Sequence, residues 1–109
     1  MIDIGFDVIG DLHLKPEDSF NWENKATSLY CIVSGNISSD VRTIQQTLTH
    51  LARYYQGVFY CPGSAEYDGV ENTNERTGLI VNLSKKIPNL VILHHNIVII
   101  DGIAIIGSN

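Results

Sequence analysis

The sequence predicts a layered α/β fold, a mostly parallel sheet followed by a β-hairpin. Three observations predict it. Short β-prone runs alternate with amphipathic or polar stretches along most of the chain. Several of those runs are almost continuously apolar, as strands covered on both faces are. Near the end, two apolar runs are separated only by Asp101-Gly102, and Asp-Gly supplies the positive φ values of a type I′ hairpin turn.

The elements follow in order. Phe6 to Gly10 is a short strand stopped by glycine, and residues 16 to 27 read as a loop pinned by Phe20 and Trp22. Leu29 to Val33 is a buried strand ending at Ser34-Gly35-Asn36. Ser38, Ser39 and Asp40 then offer N-caps. Val41, Ile44, Leu48, Leu51, Ala52 and Tyr55 form one apolar stripe of a helix that Gly57 ends. Val58 to Cys61 is a third strand, and residues 67 to 78 read as polar and loop-like. A second helix covers about Asn74 to Ile87, stopped by Pro88. Leu90 to Leu93 is a fourth strand, and 97–100 and 103–106 form the hairpin. Residues 1–109 make a single domain without an internal repeat.

Composition narrows the function classes. Apolar residues make up 44% and charged residues 17%, too apolar and too lightly charged for a disordered chain. A net charge of −5 argues against nucleic acid, whose phosphates call for clustered Lys and Arg. No apolar run approaches the roughly 20 residues of a membrane span. The start of the chain carries acids rather than a basic leader. The sequence reads as a cytoplasmic protein, and Cys31 and Cys61, without a CxxC motif, as reduced core thiols.

Three loops follow the carboxyl ends of successive strands: Gly10 to His13, Gly35 to Ser38, and Pro62 to Asp68. Ligands of open α/β sheets bind at that edge. Asp11 and His13 project the same way on an extended backbone, and an oxygen–nitrogen pair suits Mn, Fe or Zn better than Ca. Glu66 and Asp68 read as exposed loop acids. His94-His95 reads as a strand pair with one ring inward and one outward. His50 falls mid-helix near the polar side.

The ordered elements Asp11-Leu12-His13, Gly35-Asn36 and Gly63-Ser64-Ala65-Glu66 resemble the D-x-H, G-D and G-N-H-[ED] motifs of calcineurin-like metallophosphoesterases. The resemblance runs along almost the whole chain and implies about half of that family's sandwich, with degenerate motifs. It also implies a divalent metal (Mn, Fe, Zn or Mg) at Asp11, His13 and Asn36, held weakly or not at all. The departures decide the rest. The family's metal-bridging aspartate is replaced by Asn36, its ligating asparagine by Ser64, and its adjacent histidine by Ala65. Two-metal hydrolysis needs a bridging anion and a polarised phosphate, and losing even one preorganised donor costs about 3–4 kcal/mol of transition-state stabilisation.

The expectation is therefore a truncated, degenerate metallophosphoesterase-like domain without efficient phosphatase activity and with no catalytic residue assigned. It would bind a protein partner, a second copy of itself or a phosphorylated ligand. Exposed apolar surface along Leu90 to Ile106 and an unpaired last strand favour self-association. The alternative is an active divalent-metal-dependent phosphoesterase, acting on phosphomonoesters or phosphodiesters, whose site is completed by nearby acids or a second subunit. A doubly wound nucleotide module ranks below both, because neither GxGxxG nor a P-loop is present.

Overall fold

The computed structural model describes residues 5–94, 97–100 and 102–106. Four parallel strands, β1 (Phe6–Ile9), β2 (Tyr30–Val33), β3 (Gly57–Tyr60) and β4 (Leu90–Ile92), lie side by side in chain order. Helix α1 (Val41–Ala52) links β2 to β3, and α2 (Thr73–Lys86) links β3 to β4. Strands β5 (Ile97–Ile100) and β6 (Ile103–Ile106) form a separate antiparallel pair. The predicted fold class is the observed one. In the parallel register Phe6 lies beside Tyr30, Tyr30 beside Gly57, and Val58 beside Leu90. The carboxyl ends of all four strands consequently share one edge.

Alternation along the strands divides the core into two layers. Cys31, Val33, Val58 and Tyr60 are buried with Ile44, Leu48 and Leu51 of α1 and with Ile80 and Leu83 of α2. The intervening residues, Tyr30, Ile32 and Phe59, pack instead with Val98, Ile100 and Ile105 of the hairpin. Thus the helices cover one face of the sheet and β5–β6 covers part of the other. The hairpin's opposite side stays apolar and uncovered, with Ile97 and Ile99 63% and 71% exposed.

Caps set the helix starts. The Asp40 carboxylate accepts from the Thr43 hydroxyl at 2.7 Å and from its amide at 3.0 Å, a cap worth about 1 kcal/mol. These Thr43 bonds hold the Asp40 carboxyl below its ordinary range. Asn72 caps α2 by accepting from the Glu75 amide at 3.0 Å. That cap starts the helix at Thr73, within a residue of the expected Asn74, so the end of the loop-like stretch 67–78 is helical. A single turn of 3₁₀ helix, Ser64–Tyr67, also stands in this region and was not anticipated.

The loop from β1 to β2 is tied down through aromatic residues, as its Phe20 and Trp22 predicted. Trp22 Nε1 donates to the Tyr55 hydroxyl at 2.7 Å, and Tyr55 donates onward to Asp7 at 2.7 Å. The Trp22 amide donates to His50 Nε2 at 2.8 Å, which places His50 in the packing of this loop. Burial raises the Asp7 carboxyl, but bonds from Thr27, Tyr55 and Ser28 outweigh it and hold the group at about 2. Cys31 and Cys61 are thiols rather than a disulfide, and burial pushes Cys31 up to about 12. Gly102 has the positive φ expected of its turn, at 82°. Asp101 and His95 lie outside the described residues. His94 stands in a bend beyond β4 rather than in a strand, which corrects the alternating strand-pair reading.

Candidate functional site

Three strand-end loops meet as the spacing predicted. The backbone joins them first. The Asp11 amide donates to the Gly35 carbonyl at 3.2 Å, His13 to Asn36 at 2.9 Å, and Leu14 to Ile37 at 2.7 Å. This ladder needs unusual dihedrals. Asp11, His13 and Asn36 have φ of 55°, 47° and 55°, the left-handed region that Asp, His and Asn enter more readily than most residues. The expectation of an extended Asp11–His13 backbone is therefore corrected. Their side chains still converge, with His13 Nε2 4.0 Å from Asp11 Oδ1, and both are largely solvent-exposed.

Glycine permits the closest approach. At Gly35, φ is +100°, and a Cβ would stand 2.8 Å from the Gly63 nitrogen and 2.9 Å from the Cys61 carbonyl oxygen. A Cβ on Gly63 would meet Asn36 Oδ1 at 2.6 Å. Loops two and three are thus pressed together, and the Asn36 side chain lies in the seam. Its Nδ2 donates to Asp11 Oδ1 at 2.8 Å, and its Oδ1 accepts from the Ala65 amide at 2.9 Å. Rotating the amide by half a turn would set oxygen against carboxylate and N–H against N–H, so the network fixes its orientation.

Glu66 departs most from the sequence reading. Instead of an exposed loop acid it is a fully buried carboxylate. Oε2 accepts from the Tyr60 hydroxyl at 3.0 Å and the Ile37 amide at 3.3 Å, while Oε1 accepts from the Gly63 amide at 3.3 Å. Three donors satisfy a charge that would otherwise be prohibitive to bury. Burial and the Glu66 charge together drive the Tyr60 hydroxyl well above the ordinary phenol range. Arg76 closes the same junction from α2, donating to the carbonyls of Ser39 at 2.7 Å and Glu66 at 3.0 Å. Asp68 follows the 3₁₀ turn, its amide bonded to the Ala65 carbonyl. Beside this junction opens a cleft of about 440 Å³ lined by Ser64, Tyr67, Thr73, Thr77 and His94 among others. A larger groove of about 580 Å³ runs along α1 past Phe20, Arg42 and Arg53, away from the strand-end loops.

The donor set can be tested against the metal pair that the resemblance implies. Asp11 and His13 offer one oxygen and one nitrogen, enough for a loosely held single ion. Their 4.0 Å separation exceeds the roughly 3 Å between neighbouring ligands on one ion. Asn36 could ligate only through its amide oxygen, which already accepts one bond from the Ala65 amide, and it turns N–H rather than oxygen toward Asp11. Among the described residues, no cluster of three or more His, Cys, Asp or Glu side chains is placed to hold a metal. These residues do not fit a two-metal centre.

No family model matches the chain. An uncharacterized protein of Acanthamoeba polyphaga mimivirus is 23% identical over an alignment of 116 positions that covers 92% of this chain and 41% of that protein. The crystal structure of the phosphopantetheinyl hydrolase from Mycobacterium tuberculosis matches with a TM-score of 0.64 and 21% identity. That match covers 88% of this chain and 37% of the hydrolase. The chain accordingly spans about two fifths of the length of the proteins it resembles, and the likeness to the hydrolase shows a shared α/β fold. Among the described residues no helix is long and apolar enough to cross a membrane.

Proposed function

We propose that this chain is a phosphoesterase-like module that works by binding rather than by hydrolysis. One observation carries the reading. The position on which a bridging anion would have to stand holds an amide, Asn36, whose two polar atoms are committed to Asp11 and Ala65. Ser64 and Ala65 in the adjoining loop add neither an amide ligand nor an imidazole acid. What remains is a set of loops locked into a fixed shape, with Asp11 and His13 at the exposed rim. Such a surface is suited to a protein partner, to a phosphorylated ligand held without cleavage, or to a second copy. The uncovered Ile97, Ile99 and Ile103 of the hairpin favour self-association.

The test is hydrolysis of para-nitrophenyl phosphate and its bis-ester with manganese, for the wild type and for Asp11→Ala. The proposal expects no turnover above the Asp11→Ala background. Manganese-dependent activity abolished by Asp11→Ala would establish instead the second reading, a phosphomonoester or phosphodiester hydrolase. That reading draws support from the fold shared with a hydrolase. It requires acids or a second subunit to complete the site.

A further inference from the structure

We propose that the Asn36 amide is a built-in cation substitute, and that it makes the order of the three strand-end loops independent of divalent ions. At a loop junction a cation presents positive charge to a carboxylate on one side and fixes neighbouring segments on the other. Asn36 does both with hydrogen bonds. Its partially positive Nδ2–H lies 2.8 Å from Asp11 Oδ1, in the first loop. Its Oδ1 receives the Ala65 amide at 2.9 Å, in the third. Its own backbone carbonyl takes the His13 amide at 2.9 Å. One residue of the second loop therefore joins all three. The left-handed φ of 55° at Asn36 and the absence of a Cβ at Gly63 are what bring the amide into this seam.

The chemistry makes a sharp reciprocal statement. Replacing the amide by a carboxylate, Asn36→Asp, keeps the acceptor for Ala65 but turns the donor facing Asp11 into a second anion. Two carboxylate oxygens at hydrogen-bond distance require a shared proton or a cation. The single change would thus convert an ion-independent junction into an ion-requiring one. Exchanging the pair, Asp11→Asn with Asn36→Asp, restores one donor and one acceptor and removes the requirement again. This deepens the proposed function and rests on it only in taking the native junction to work without a metal.

The experiment follows thermal unfolding of the full chain in EDTA and in 1 mM manganese chloride, with hydrogen exchange at the Ala65 amide as a second readout. For the wild type the midpoint and the Ala65 protection should be the same in both buffers. Asn36→Asp should lower the midpoint in EDTA by about 4–8 °C, with manganese recovering at least half of the loss. The exchanged pair should lie within about 2 °C of the wild type in EDTA, on the same scale. Asn36→Ala, which removes both bonds and adds no charge, should lose stability without recovery by manganese. The proposal is overturned if manganese stabilises the wild type as much as Asn36→Asp, if Asn36→Asp is unaffected in EDTA, or if the exchanged pair is as unstable as the single variant. Should Asn36→Asp fail to fold, the wild-type Ala65 exchange decides alone: protection that rises on adding manganese refutes the idea. Hydrolysis is absent from these readouts, so a failure here is distinguishable from a failure of the binding reading.

Discussion

Glu66→Ala is the most demanding perturbation the structure offers. The side chain is fully buried, and its removal strands the Tyr60 hydroxyl and the Ile37 and Gly63 amides. A buried donor left unsatisfied costs about 1–3 kcal/mol. Three would sum to about 3–9 kcal/mol, and water entering the vacated space from the neighbouring cleft lowers that, leaving an expected loss of about 3–5 kcal/mol. For a domain of this size the thermal midpoint should fall by roughly 15 °C or more. Urea unfolding followed by far-ultraviolet circular dichroism measures the loss directly. Glu66→Gln, which keeps one acceptor oxygen, should lose roughly half as much. Tyr60→Phe should cost less in the Glu66→Ala background than in the wild type, because its hydroxyl has then lost its acceptor. A Glu66→Ala protein within about 1 kcal/mol of the wild type would refute the account of Glu66 as the organiser of these loops.

Three further outcomes are expected. Asp7 is held at about 2, below the ordinary carboxylate value of 3.8. Its contribution to stability is therefore complete above about pH 4 and fades as pH falls toward 2, so the gap between wild type and Asp7→Asn should close over that window in acid titrations. Gly35→Ala combines a φ of +100° with a Cβ crowding backbone atoms at 2.8 and 2.9 Å; urea unfolding should register a loss of about 2 kcal/mol or more. Ile99→Lys, at a position 71% exposed, should leave the unfolding midpoint unchanged within a few degrees. In sedimentation at micromolar concentration the same variant should shift the chain toward monomer, and a wild type that is already monomeric contradicts self-association.

The parts of the fold that were legible in the sequence are those that a local pattern determines. Leu29 to Val33 and Val58 to Cys61 announce strands because burial on two faces leaves little room for polar residues. The stripe from Val41 to Tyr55 announces α1 because its period matches a helix, and Asp40 marks its start. The meeting of three loops followed from strand direction alone. Glu66 was misread for a physical reason. The donors that make its burial tolerable come from Tyr60, Ile37 and Gly63, and nothing local says that the Ile37 amide will point at it. The one available signal was its place three residues after Gly63, where a carboxylate can reach back to a helix-start amide. The dihedrals of Asp11, His13 and Asn36 were hidden similarly, since left-handed conformations there answer to the neighbouring loop rather than to the residues themselves.

The absence of a helix between β1 and β2 has a kinetic consequence. Strands β2 and β3 are joined through α1, and β3 and β4 through α2, so each pairing is assisted by a helix that forms from local contacts. β1 must instead close a loop of residues 10–29, held by Trp22 on Tyr55 and His50 and by the Asp11, His13 and Leu14 amides on the second loop, once those partners are in place. Closing it before they assemble loses chain entropy with little return. By this reasoning β1 should dock after the helix-linked strands have paired, and Asp11 and His13, just beyond its end, should take their positions with it.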